Sequence, residues 1–326
     1  MSNKKIASLS ISGEITLNLH SLNNEGGEGN QILTRQLTVI DKEGKERTVN
    51  GISGDMFKHI HAVYLSQYAN ENDLPLSTYS KRLDPNRISA EDLLSYFKTS
   101  GTKNESSADV IRGIISTCTV CDAHGVLITD KVGTNKSSTN TPRKSTVEFG
   151  WTVGIPNKNG TESYIHTKLV SDAGTKGSAT SSNEGQNIFH RPANHGAYAF
   201  ICNIDIYRIG FNDIDRSYSI NDEARNNRYK AIIQSLINSL LNPKGAMSST
   251  QKPHITDFKG VIASTYSLTP APTLSAINEG YRIELESIKK SLNKLGNEVE
   301  TKNFNSLADL TEILADLSSL EPYKLK

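Results

Sequence analysis

Residues 7–20, ASLSISGEITLNLH, alternate apolar and polar side chains almost without fault. Ala7, Leu9, Ile11, Ile15, Leu17 and Leu19 fall on one face, and Ser8, Ser10, Ser12, Glu14, Thr16, Asn18 and His20 on the other. A period of two is the signature of a strand, so this stretch predicts a long half-buried strand.

The glycine-rich NNEGGEGN that follows reads as a turn, and QILTRQLTVI and ERTVN flank DKEGK as a β-hairpin. Ser53 then caps a helix whose apolar positions Met56, Phe57, Ile60, Val63, Tyr64 and Tyr68 recur at helical spacing, with Asp55 in the first turn. A second helix is expected from Ser89 to about Thr99, ending at Gly101, and a short third around ADVIRGIIST. Residues 131–146 carry four basic side chains and no acid, which predicts an exposed, mobile, cationic loop. Val147, Phe149, Trp151, Val153 and Ile155 then alternate as a buried face, and SYIHTKLV puts Tyr164, His166 and Lys168 on one side. A low-complexity stretch, 171–186, separates this strand from GAYAFICNIDIYRIG, so the pair suggests a protruding arm. An amphipathic helix over 221–241, a loop with Lys244 and Lys252, and a helical tail from Ile277 complete the chain. With no internal repeat and no linker, the pattern is one α+β domain, residues 1–326, carrying large insertions.

The 326 residues suffice for a sizeable core, yet hydrophobic content is only 36%, so much of the chain is polar periphery. A net charge of +1 carries no global signature of nucleic-acid binding, and any polyanion site must come from local clustering. No apolar run is long enough to span a bilayer, and three cysteines make no disulfide framework. Together these point to a cytoplasmic protein with no membrane partner.

STCTVCDAHG spaces Cys118, Cys121 and His124 at even intervals. Structural zinc usually takes four ligands in two close pairs, and the fourth here would have to come from elsewhere, such as His190 or His195. Packing thiols at a helix end is the simpler reading. A redox pair should open a helix, whereas this motif follows the helical run ADVIRGIIST. There is no P-loop, no GxSxG and no HExxH, so nothing requires an enzyme, a metal or a cofactor. What remains is a scatter of phosphate-capable side chains beside flexible segments: Arg35, Lys58, His59, His61, Arg143, Lys144, His166, Lys168, Arg191 and Lys252. Their placement suits sequence-independent backbone binding.

The order of SGDMFKHI, CTVCDAHG, FGWTVGIP, NIFHRPANHGAYAFICNIDIYRIG and GAMSSTQKPHI resembles the Cascade backbone subunit of type I CRISPR systems, in the DevR autoregulator branch. The resemblance runs from about residue 6 to 280. Ser53, Gly54 and Lys58 match the family's helix start, and Gly245-Ala246 its Gly-Ala pair. The family's Ser-Gly-x-Tyr stands here as Asn194-His195-Gly196-Ala197-Tyr198, so the usual serine is replaced.

The resemblance implies an α+β fold: a modified RNA-recognition-motif (ferredoxin-like) palm, a helical fingers insertion at about 65–145, a thumb-like β-hairpin at about 170–190 and a helical tail at 278–326. It implies head-to-tail copies along the spacer of a CRISPR RNA, together with other Cascade subunits, leaving bases free to pair with target DNA. It makes RNA-binding candidates of Asn18, His20, Arg35, Ser53, Lys58, His59, His61, His166, Lys168, Arg191, Asn194, His195 and Lys252, with Lys136, Arg143 and Lys144 as possible target-strand contacts. Two rivals stand beside it: a type III-like backbone subunit cutting RNA through Asp41 or Asp55, and a zinc-dependent enzyme built on Cys118, Cys121 and His124.

Overall fold

The computed structural model describes residues 4–29, 31–136, 138–169 and 186–325. In chain order the main elements are β1 (Ser8–His20), β2 (Gln36–Ile40), β3 (Glu46–Ile52), α1 (Gly54–Glu71), α2 (Thr78–Lys81), α3 (Ala90–Ser100), α4 (Ser107–Thr117) and α5 (Thr119–His124). They continue with β4 (Thr152–Leu169), β5 (Gln186–Ile204), α6 (Asp222–Leu241), β6 (His254–Thr265), α7 (Tyr281–Lys294), β7 (Val299–Phe304) and α8 (Leu307–Ser318). The sheet runs β7-β6-β1-β5-β4-β3-β2, every pair antiparallel, and three short strands bring it to ten among the described residues. No helix among the described residues is long and apolar enough to cross a membrane.

The succession β1-α1-β4-β5-α6-β6 sets β6, β1, β5 and β4 side by side. The odd positions Leu9, Ile11, Ile15 and Leu17 of β1 face Phe57, Ile60 and Leu65 of α1 and Ile232, Leu236 and Leu240 of α6 in one core. The half-buried strand expected from the alternation is covered on both faces. Ser8, Ser10 and Ser12 are buried, because an extended segment crosses the opposite face and pairs with their hydroxyls. Ala271 N–H donates to Ser8 Oγ at 3.0 Å, Ser10 Oγ–H to Pro272 O at 2.7 Å, and Leu274 N–H to Ser12 Oγ at 3.0 Å. Tyr281 and Leu285 of α7 extend this cover over Ile155, Ala197, Ala199 and Val261. Hydroxyls thus make a polar face compatible with burial, since each finds a partner.

The helices start where caps were legible. Ser53 accepts from Met56 N–H, Ser89 and Ser106 form capping boxes with Asp92 and Asp109, and Gly101 ends α3 in the left-handed region.

Four expectations are corrected. The glycine-rich turn is itself a strand, Asn24–Glu28, which pairs with Gln31–Thr34, so the following hairpin begins at Gln36. Alternation through 147–155 is broken at Gly150–Trp151: Val147–Phe149 is a separate short strand, and Trp151 turns outward, 40% exposed, under the Arg35 guanidinium at 5.3 Å. The cationic loop is tied down, because Thr141–Arg143 pairs with Val126–Ile128 and Val132 N–H donates to Ser138 Oγ. The tail contributes β7 to the sheet edge between its two helices. Residues 170–185, where most of the thumb-type hairpin was expected, lie outside the described residues.

Candidate nucleic-acid interface

β4 and β5 continue beyond the sheet as a long hairpin, paired as far as Leu169 with Gln186. Its base is an irregular, polar joint. Pairing jumps between Gly154 and Asn159, so residues 155–158 bulge out, and Gly196 (φ 139°) occupies a conformation open to glycine, with the position of a Cβ only 2.3 Å from Lys158 O. Beneath lies a network of amides. Asn50 N–H donates to Asn159 Oδ1 at 2.9 Å and Asn50 Nδ2 to Gly160 O at 2.8 Å, while Thr161 Oγ1 sits 3.0 Å from Asn50 Oδ1 and 2.7 Å from Asn194 Oδ1. Buried polar groups that satisfy one another fix one geometry, and here they fix how the hairpin leaves the sheet.

Cross-strand partners share a face, so Tyr164 with Arg191 and His166 with Phe189 line one side of the hairpin. Tyr164, His166 and Phe189 are exposed, and Arg191 makes no ion pair among the described residues. The loop after α6 reaches the same place: Gln251 Nε2–H donates to Pro192 O at 3.1 Å, leaving Lys252 and His254 exposed beside it. Gly245 packs against Leu22, where a Cβ would lie 2.5 Å from Cδ2, and Ser53 N–H donates to Asn23 Oδ1 at 2.9 Å. The end of β1, the start of α1 and this loop therefore converge. Between the hairpin and the Gln31–Thr34 strand lies a groove of about 480 Å³, walled by amides, hydroxyls, His190, Pro192 and the apolar Ile32 and Leu33.

The individual candidates divide sharply. Lys252 and His59 are exposed, His195 is half-buried over Gly160, and Asn18 donates from Nδ2 to Thr256 Oγ1 at 3.3 Å. Ser53 is the α1 cap, Asn194 is buried in the amide network, and Arg35 lies over Trp151. Lys58 is half-buried in a separate cavity of about 240 Å³ with Asp55, His59, Asp84 and Arg87, its ammonium held below the usual lysine range by burial and then by Arg87. Lys136 and Lys144 are exposed in the 131–146 segment. Of Lys168 only the backbone is described.

Three candidates are corrected to core residues. His20 is buried with Nε2 3.0 Å from Tyr198 Oη, its imidazole pushed down to about 4 by burial and then by His195. His61 is buried between His124 and Ile232 O and is pushed down to about 4 by burial. The carbonyl of Ile232 can only accept, so neutral His61 carries its proton on Nε2 and accepts at Nδ1 from His124 Nε2–H. Arg143 is buried, with Asp122 at 2.7 Å and the carbonyls of Phe211 and Arg208 around it.

Side chains of the rival sites also take part in local structure, and Asp55 stands exposed in the first turn of α1. Asp41 spends its carboxylate on Glu43 N–H, Lys45 N–H and Arg47 in the β2–β3 turn. Cys118 is extended and caps α5, so CTVC opens a helix after all, which corrects the ground on which the redox reading was set aside. Cys118 faces Ser80 at 3.2 Å while His124 turns to His61, and the described residues contain no cluster of three or more metal-ligating groups. Sequence reading missed Asn50, Asn159, Thr161 and Gln251. Asn50-Gly51 and Asn159-Gly160 carry only a turn signal, and their meaning comes from strands 109 residues apart.

Fold and site together define an α+β protein, a βαββαβ sheet covered on both faces with a hairpin arm that has Arg191 and Lys252 near its base. Residues 11–285 match the family described as "CRISPR-associated negative auto-regulator DevR/Csa2", and the chain belongs to that family. It is 25% identical over 328 residues to "CRISPR-associated protein Cas7/Cst2/DevR" of Methanocaldococcus jannaschii, covering 96% of this chain and 97% of that one. Its fold is similar to a chain of a "CRISPR RNA-guided surveillance complex, pre-nicking", with a TM-score of 0.51, 10% identity, and coverage of 95% of this chain and 99% of that one. At that identity the likeness concerns the fold alone.

Proposed function

We propose that this chain is a non-catalytic CRISPR RNA-binding backbone subunit of a type I surveillance complex. Copies polymerise head to tail along the guide spacer, in company with other complex subunits, and present its bases to target DNA. The βαββαβ core with strands in the order β6-β1-β5-β4 serves as an RNA-recognition-motif-type palm. The observation that carries the reading is where unpaired polar and cationic side chains collect. Arg191 and Lys252, with the imidazoles of His195 and His254, stand toward the hairpin base without a carboxylate partner among the described residues, whereas Arg143 and Arg228 in the core are clasped by Asp122. The sheet face on which ordinary recognition motifs stack bases is covered by residues 271–276 and α7, so the guide runs along the sheet's outer end. Backbone holding leaves sequence specificity to base pairing.

Expression of the chain with a CRISPR array, followed by sequencing of co-purified RNA, tests the reading. A spacer-containing RNA of uniform length is expected, and RNA of random length, or none, would overturn it. Incubation of the assembled complex with complementary RNA and Mg²⁺ should leave that RNA intact; cuts at regular intervals would return the reading to the type III-like rival.

A further inference from the structure

The end of β1 contains an irregularity that the RNA-binding reading does not by itself require. His20 pairs with Asn194 and Leu17 with Gly196, so Asn18 and Leu19 together stand opposite the single residue His195. This is a β-bulge, and its pivot is Leu19, with φ 54° in the left-handed region. An apolar γ-branched side chain gains nothing locally from that conformation, which costs an L-residue energy that glycine or asparagine would avoid. The bulge reverses the alternation. Leu17 faces the core, but His20 takes the next core position, against Tyr198, and Leu19 is turned to solvent, 49% exposed.

A fold that buries a histidine and exposes the neighbouring leucine, at the expense of backbone strain, inverts the ordinary partition of side chains. Bulges re-aim side chains, and strain of this kind concentrates where a side chain is presented to a ligand. The surroundings say which ligand. Leu19 lies opposite His195 on β5, while Asn18 is in register with His254 at the start of β6, and Lys252 stands two residues before it. Arg191, three residues beyond Asn194, makes no ion pair among the described residues. An apolar tip with imidazole, amide and cationic groups along the adjoining strands complements a strand whose phosphates are charged and whose ribose and base faces are apolar.

We propose that Leu19 is a wedge against which one ribose or base face of single-stranded RNA packs, while the surrounding cations hold the flanking phosphates. This rests on the proposed RNA-binding role and names the residue that supplies its uncharged contact. The side chain carries no hydrogen-bonding group, so the contact discriminates little between bases.

The test uses the full chain, a 5′-labelled oligouridylate and an oligoadenylate, and fluorescence anisotropy across a salt series. Leu19→Gly and Leu19→Asn both relieve the left-handed backbone, so Tm is expected to stay level or rise while Kd for both RNAs weakens about five- to tenfold. The salt slope should not change, since no phosphate contact is lost. Wild-type RNA affinity in both variants would overturn the wedge and leave the RNA-binding role standing. A wild-type chain that binds neither RNA would overturn both. Sedimentation at equal protein concentration separates the remaining case: loss of self-association at unchanged RNA affinity would make Leu19 a contact between copies and refute the proposal.

Discussion

The region around Asp122 and the region around Arg191 both concentrate cationic side chains and treat them in opposite ways. In the first, Arg143 and Arg228 are buried against the two oxygens of one carboxylate, at 2.7 and 2.8 Å, and Gly210 N–H completes its shell at 3.0 Å. In the second, Arg191, His195 and Lys252 sit at the hairpin base with no carboxylate in contact among the described residues. A guanidinium clasped on all sides holds elements together, here α5, α6 and the 141–143 strand; one left with open donors is available to a partner. Composition cannot separate these roles. What separates them is whether a carboxylate from a distant part of the chain arrives beside the cation.

The comparison can be broken in three places. Asp122→Asn leaves buried Arg228 without its carboxylate and buried Arg143 with Asp213 alone, 3.2 Å away, and a loss of about 3–5 kcal/mol is expected in urea unfolding. A loss below about 1 kcal/mol would show that the clasp is not what unites these elements. Acid should act next, through the imidazoles. His20 and His61 are both pushed down to about 4 against 6.5 in the unfolded chain, so between those values the unfolded state holds more protons than the native one. Stability contributed by the neutral, buried rings is complete above about pH 6.5 and falls as pH drops toward 4. Unfolding free energies from urea titrations at pH 7 and pH 5 should differ by on the order of 2 kcal/mol for each ring. His61→Gln should flatten part of this dependence. The smallest effect belongs to the open cluster: Arg191→Ala and Lys252→Ala should each leave Tm unchanged, weaken RNA binding about fivefold and lower the log–log salt slope by about one. A Tm drop for Arg191→Ala, with binding intact, would move it to the structural side of the comparison.

Much of the architecture was legible because it rests on local patterns. Alternation marked β1 and β5, and Ser53, Ser89 and Asn221 marked helix starts. Of the candidate site, what was legible was the surface placement of Lys252, His59 and His166, which are exposed. His20 and Leu19 were read on the wrong faces because a single left-handed residue shifts the parity of everything after it, and nothing in ASLSISGEITLNLH announces that shift. Arg143 was read as part of a cationic loop because the carboxylate that neutralises it lies 21 residues earlier, inside a helix. The buried serine face of β1 was read as solvent-facing, since the segment that covers it lies some 260 residues later.

The amide joint at the hairpin base also has a mechanical meaning. From Gly196 outward β5 runs ten residues to Gln186, and at about 3.3 Å per residue that is a lever of about 33 Å. A rotation of only about 10° at Gly196 would sweep the far end through about 6 Å, so a small angular error at the pivot becomes a large positional error at the tip. Asn50, Asn159, Thr161 and Asn194 are accordingly the bearing of this lever. Its stiffness, more than any contact along the arm, determines how accurately the tip is aimed.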